Sequence, residues 1–302
     1  FRRVLFRSIG KSQGKEFKDK GVNVVLGPCM NMQRSPLGGR LWESFGDDPF
    51  LSGECATHVV KGIQSNGVAS CIKHFAGNSQ EERRMTLDSV LDERTLRELY
   101  LTQFEIAVKE SHPKSIMTSY NLVNGVYANE NPHITMDILR NEWGYDGFIV
   151  TDWGGNNDRI EGLKCLNSLE MPGNGGDTDR DIVEAVKNGT LDEKVLDECV
   201  DLILDIVFET EKAFEKENPP FDVDAHDAIA LECARSSAVL LKNENHILPL
   251  KEGTKVALIG DFVDNPRYQG AGSSIVNPTK ISKTSDLIKD YPLEVVGFEQ
   301  GF

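Results

Sequence analysis

From Lys15 onward, short apolar runs alternate with longer stretches in which apolar residues recur at helical spacing. The runs are "VNVVLGP" (22–28), "VASCIKHF" (68–75), "KSIMTSYN" (114–121), "GFIVTDW" (147–153) and "NSLEMPG" (167–173). The spacing between them predicts helices over 51–66, 92–111, 135–143 and 157–165, with two more at 179–189 and 192–214. Near-continuous apolar strands separated by helices imply a parallel sheet covered on both faces. Two architectures carry that pattern, a (β/α) barrel and an open doubly wound sheet. The barrel is preferred because polar side chains cluster after every strand and not at one switch point.

Two segments break the rhythm. The stretch "EKENPPFDVD" (215–224) has paired prolines, charges and no periodicity, and reads as a linker. Beyond it a helix (225–237), "AVLLKN" (238–243), "KVALIGD" (255–261), a helix near 283–290 and "LEVVGF" (293–298) begin a second α/β unit. At the other end, "FRRVLFRS" (1–8) matches one reading frame of a common sequencing adapter, and residues 1–13 are set aside as non-native sequence plus a short lead-in. The expected domains are therefore 14–214, a partial barrel lacking its first strands, and 225–302, the beginning of an α/β sandwich.

Each strand delivers a polar cluster at its C-terminal end. They are Arg40 after the first, Lys73 and His74 after the second, Tyr120 and Asn121 after the third, Asp152 and Trp153 after the fourth, and Met171 after the fifth. In a barrel these ends share one cavity. A carboxylate beside Lys and Arg stays ionised, and a flat aromatic wall stacks on the apolar face of a pyranose. Arg40, Lys73 and His74 can donate to vicinal hydroxyls. No glycine-rich dinucleotide loop, phosphate loop or zinc-type spacing competes with this sugar-binding composition. "QGAGSS" (269–274) lacks the Lys-Ser/Thr that a phosphate loop needs. For Lys73 a Schiff-base role of the aldolase kind is the rival reading. For His74 alone, a satisfied core histidine is.

Charge and cysteines narrow the partners. The 33 Lys and Arg against 48 Asp and Glu give a net charge of −15, which repels nucleic acid and anionic membranes. The six cysteines are scattered without framework spacing, and Cys29, Cys71 and Cys165 sit in or beside apolar runs. Reduced, core-filling thiols and a cytoplasmic setting fit that usage.

Several long motifs make a resemblance specific. "KGVNVVLGPCMNMQRSPLGGRLWESFGDDPFLSGE" (20–54), "GVASCIKHFAGNSQEERRMTLDSVLDERTLRELYL" (67–101), "SYNLVNGVYANEN" (119–131), "ILRNEWGYDGFIVTDWGG" (138–155), "LEMPG" and "RYQGAGSS" (267–274) resemble glycoside hydrolase family 3, β-glucosidase type. The resemblance implies a TIM-type (β/α)8 barrel whose "TDW" aspartate, here Asp152, is the catalytic nucleophile of a retaining mechanism. It implies that Arg40, Lys73, His74, Tyr120 and Trp153 hold the sugar in the first subsite. No cofactor and no metal is required, and the partners are small β-glycosides or oligosaccharides ending in glucose or xylose.

The pattern also departs from the family. The barrel opening, with a hydroxyl-binding Asp, has no counterpart here, and the family's acid/base Glu lies beyond residue 302. Glu244, Glu294 and Glu299 sit in no matching motif. The chain is thus expected to be a fragment with little activity on ordinary glycosides. Two alternatives stand beside the glucosidase. A β-N-acetylglucosaminidase of the same family would carry "KHFPGHG" where this chain has "KHFAGN" with Asn78, and a sugar-binding fragment would bind without turnover. Glu43 reads as an ion-pair partner of Arg40. Arg83 and Arg84 read as loop residues, and Trp42, Tyr127 and Trp143 as packing. Contact by Tyr268 or Gln269 with the pocket is left open.

Overall fold

The computed structural model describes residues 3–216, 218–269, 272 and 275–301. Most of "QGAGSS" (Gly270, Ala271, Ser273 and Ser274) lies outside the described residues. The chain divides into two units, Phe1–Ser236 and Ser237–Phe302.

In the first unit, four parallel strands lie side by side in chain order: β1 (Val24–Val25), β2 (Ala69–Phe75), β3 (Ser115–Thr118) and β4 (Phe148–Val150). Val24 pairs with Ala69, Ile72 with Ile116, and Ile116 with Ile149. A further parallel bridge joins Val150 to Leu169. The order never reverses. A doubly wound sheet would show a switch point, so the unbroken order is that of a barrel wall. The first and fifth expected strands shrink to two residues and one bridge. Both runs contain a proline (Pro28, Pro172), which has no N–H for the ladder.

Helices α1 (Arg3–Asp19), α2 (Pro49–Gln64), α3 (residues 93–111, π-type over Leu96–Leu101) and α4 (His133–Glu142, π-type) precede α5 (Arg159–Lys164), α6 (Asp177–Asn188), α7 (Glu193–Phe214) and α8 (Val223–Ser237). Several start at an aspartate that caps a free backbone N–H: Asp48 takes Leu51 N, Asp92 takes Thr95 N, Asp158 takes Ile160 N and Asp192 takes Lys194 N. α2, α3 and α4 press Val60, Phe104 and Ile138 against Ile72, Phe75, Ile116 and Ile149 in the main core. On the other face of the strands Ala69, Cys71, Met117, Phe148 and Val150 form a second cluster with Ile206 of α7. α7 meets the sheet at the N-terminal strand ends, where Lys114 pairs with Glu209 at 2.8 Å. The C-terminal ends stay free for chemistry.

Two boundaries differ from those read from the sequence. α1 runs through residues 3–8, which had been set aside: Arg3 pairs with Glu54 at 3.0 Å and Phe6 meets Phe45 edge-on at 5.9 Å. α1 and α2 approach so closely at Gly10 that a Cβ there would overlap the Val59 carbonyl. The segment 215–224 lies inside the first unit, because Lys15 bonds Asn218 at 2.5 Å and His226 bonds Glu16 at 2.5 Å. Helix α8 therefore belongs with the barrel helices, and the division falls after Ser236.

The second unit holds two parallel strands, β5 (Lys255–Ile259) and β6 (Glu294–Glu299), with α9 (Thr284–Leu287) before the second. "AVLLKN" (238–243) forms no strand. None of the unit's described residues is buried. Among the described residues no helix is long and apolar enough to cross a membrane.

Candidate active site

Side-chain parity begins the site. Phe148 and Val150 face the second cluster with Ala69 and Cys71, so the next residues of like parity, Asp152 and Lys73, continue that face beyond the strand ends. At Lys73–Phe75 the pairing with β3 shifts register, and such a bulge re-aims the neighbouring side chain. His74 is thereby brought to Asp152, with Nε2 3.4 Å from Oδ2.

Asp152 is 8% exposed. Its Oδ1 accepts the Trp153 backbone N–H at 2.7 Å, whereas Oδ2 is buried and has no hydrogen-bond partner. An unbonded carboxylate oxygen keeps its lone pairs available. His74 is buried too, with Nδ1 2.9 Å from Asn31 Oδ1 and Nε2 3.3 Å from Arg40 Nη2. Burial first, and then the cations of Lys73, Arg40 and Arg84, hold its pKa well below the ordinary 6.5, so the imidazole is neutral.

Arg40 is held by Glu43 through two bonds of 3.0 and 2.8 Å, which bears out the ion pair read for Glu43. Glu81 lies 3.9 Å from Arg40 and bonds Arg84 at 2.7 Å. The Arg84 guanidinium in turn sits 4.4 Å from the centre of the Tyr120 ring. Tyr120 donates its hydroxyl to the Trp153 carbonyl at 2.8 Å, and burial with the Asp152 charge pushes its pKa up to about 12. It stays a neutral donor. The Lys73 ammonium forms no hydrogen bond among the described residues, and the Trp153 indole is 48% exposed. Both are free to meet a ligand.

The turn after β4 is pinned from several sides. Gly154, at φ +73°, donates to Met171 O at 2.8 Å, and Gly155 returns to Asp152 O at 2.9 Å. Buried Asn129 bonds the Gly155 carbonyl and accepts from Thr118. Thr151 closes the turn by accepting Met171 N–H at 2.9 Å.

All six residues expected to form the site thus gather at one end of the sheet. Asn121 does not join them: its amide is turned inward to Ala76 O and Leu122 O. Asn31, Glu81 and Arg84 join the site without having been singled out for it. Asn31 and Glu81 lie in irregular segments, where no periodicity reveals which side chains turn inward.

Comparison with known proteins gives the arrangement its family. Residues 2–206 match the glycosyl hydrolase family 3 N terminal domain, and residues 238–294 match its C-terminal domain. The chain is 49% identical over 289 residues to thermostable beta-glucosidase B of Acetivibrio thermocellus, covering 95% of this chain and 38% of that protein. It is 41% identical over 307 residues to an exo-alpha-(1->6)-L-arabinopyranosidase of Bifidobacterium longum, covering 99% of this chain and 40% of the relative. The structure of beta-glucosidase 3B from Thermotoga neapolitana in complex with glucose superposes with a TM-score of 0.90 at 42% identity, over 97% of this chain and 42% of that one. The chain spans about two fifths of the length of these relatives. It belongs to glycosyl hydrolase family 3.

Proposed function

We propose that this chain carries the nucleophile and first sugar subsite of a retaining β-glycosidase that removes terminal β-D-glucosyl or xylosyl residues. The observation that carries this reading is the buried, donor-free Oδ2 of Asp152. That oxygen attacks the anomeric carbon, the bond from that carbon to the leaving oxygen breaks, and a general acid protonates the leaving oxygen. Water then attacks the same carbon, gives its proton to the same group now acting as base, and restores the Asp152 carboxylate. Inversion occurs twice, so configuration is retained.

Arg40, Lys73 and His74 are positioned to bind hydroxyls, Tyr120 lies beside the carboxylate, and Trp153 offers its face to the pyranose. Glu43 and Glu81 are both committed to arginines and do not supply the second carboxyl group.

Incubation with an activated 2-deoxy-2-fluoro-glucoside followed by intact mass spectrometry and peptide mapping tests the reading. A stoichiometric adduct on Asp152 is expected; an adduct elsewhere, in the chain or in the full-length protein, would sink it. The arabinopyranosidase relatives support a second reading of the sugar held in the first subsite, with the same nucleophile. Arabinopyranosyl, glucosyl and xylosyl forms of one aryl glycoside separate the two by their relative rates.

A further inference from the structure

We infer that Asn31 is a positioning residue that locks His74 in its Nδ1–H tautomer and thereby keeps the attacking oxygen of Asp152 free of hydrogen-bond donors. The inference rests on the reading of Asp152 as nucleophile given above.

The lock follows from groups whose roles are not interchangeable. The backbone N–H of His74 can only donate, so the Asn31 side-chain atom 2.8 Å from it is the oxygen. On the far side, Asn31 Nδ2 is 2.5 Å from the carbonyl of Asn78, which can only accept. The amide orientation is therefore set twice. The same Oδ1 lies 2.9 Å from His74 Nδ1, so Nδ1 carries the proton. Nε2 then presents a lone pair, and the group facing it at 3.3 Å, Arg40 Nη2, can only donate. Both ends of the ring require one tautomer.

The consequence falls on Asp152. Nε2 and Oδ2 are 3.4 Å apart, so in this tautomer a lone pair and no N–H lies beside the attacking oxygen. In the other tautomer, or in the imidazolium, an N–H dipole would lie beside Oδ2 and stabilise the charge that must attack. The titratable and charged groups around the ring are Cys29, whose sulfur is 3.8 Å from Nδ1, together with Arg40, Asp152, Lys73 and Arg84. Cys29 also donates to Asn31 Oδ1 at 3.2 Å, so the amide oxygen gathers three donors. The cations and the burial disfavour protonation of the ring.

Two measurements on the full-length protein test the lock. The first is the nitrogen spectrum of 15N-histidine-labelled protein, with the His74 signals assigned by their loss in His74→Gln. A protonated Nδ1 and a bare Nε2 near neutral pH are expected. A protonated Nε2 would overturn the proposal, whatever the protein's activity.

The second is the pH dependence of Asp152 labelling by the 2-fluoro-glucoside in Asn31→Asp and Asn31→Ala. Asn31→Asp is isosteric but replaces the amide that donates to the Asn78 carbonyl with a carboxylate oxygen, so an unchanged unfolding midpoint is checked first; its charge raises the His74 pKa. The acid limb of the labelling rate should rise by the same amount, with the rate recovering above it. Asn31→Ala frees the ring to change tautomer and should slow labelling about tenfold or more at every pH. A wild-type pH profile in Asn31→Asp, with its His74 pKa raised in the nitrogen spectrum, overturns the link to Asp152. If wild-type protein is not labelled at all, the glycosidase reading fails, while the tautomer lock is judged on the spectrum alone.

Discussion

Strands β2 and β5 lie in short apolar runs of similar length, "VASCIKHF" (68–75) and "KVALIGD" (255–261), yet they end in different surroundings. Every residue of Ala69–Phe75 is buried except Lys73, which is half-buried. In Lys255–Ile259 exposed and half-buried residues alternate, and all of Glu294–Glu299 beside it is exposed. A parallel strand is stable when helices cover both faces. β2 has α2 and α3 on one side and the Met117–Phe148–Ile206 cluster on the other. The comparison shows that strand-end chemistry depends on packing behind it. Asp152 and Asp261 both follow an apolar strand, but only Asp152 is buried, with a histidine and a pinned turn to aim it.

The largest effect expected from this contrast concerns those two aspartates. Asp152→Asn should reduce glycosylation by an activated fluoro-glucoside by about 10⁴-fold or more, with the unfolding midpoint unchanged. Asp261→Asn should leave both quantities at the wild-type value. Loss of the folded state in Asp152→Asn would make that carboxylate structural and break the contrast.

The next effect is on stability. Phe75 is fully buried and meets Phe104 and Trp143 edge-on at 5.3 and 6.1 Å, so Phe75→Ala should lose about 3–5 kcal/mol. Phe298 is 44% exposed, and Phe298→Ala should change stability by less than about 1 kcal/mol. Denaturant melts followed by far-UV circular dichroism, which responds to the helices and strands of both units, measure the two losses. Equal losses for the two variants would mean that β6 is packed as tightly as β2.

What could be read from the sequence followed the same division. Apolar period located the helices between the strands to within a few residues, and the structure adds the capping aspartates at their starts, Asp48, Asp92, Asp158 and Asp192. The expectation that Lys73, His74 and Asp152 lie together followed from their places after apolar runs and from the family motifs, and the structure puts His74 Nε2 3.4 Å from Asp152 Oδ2. Asn31 was not legible, since it follows β1 in a segment without regular structure and its role depends on a ring 43 positions away. α1 lay outside the expected elements because residues 1–13 were set aside on the adapter match; it packs on α2 where Gly10, Gly14 and Gly62 allow close approach. The linker misread has a different cause. Prolines and charges at 215–224 look unstructured, but Lys15 and Glu16 hold Asn218 and His226 from a distant part of the chain.

The smallest effect concerns the cover over β2–β4. His133 at the start of α4 bonds Glu93 at the start of α3 at 2.9 Å and lies 3.4 Å from Asp137. Arg97 binds Glu93 and Glu142 in the same network. The hydrogen bond to Glu93, followed by the one to Asp137, raises the pKa of His133 above the ordinary 6.5. A folded pKa above the unfolded one means that the clamp contributes fully below about 6.5 and fades as pH rises through the raised value. The ring is half-exposed, so screening limits the effect to a few tenths of a kcal/mol. The stability difference between wild type and His133→Gln, followed from about pH 5 to about pH 8, should favour wild type at the acid end and shrink toward the alkaline end. Added salt should shrink it as well. A difference that is constant across this range would remove the clamp from the account of why the first unit's sheet stays covered.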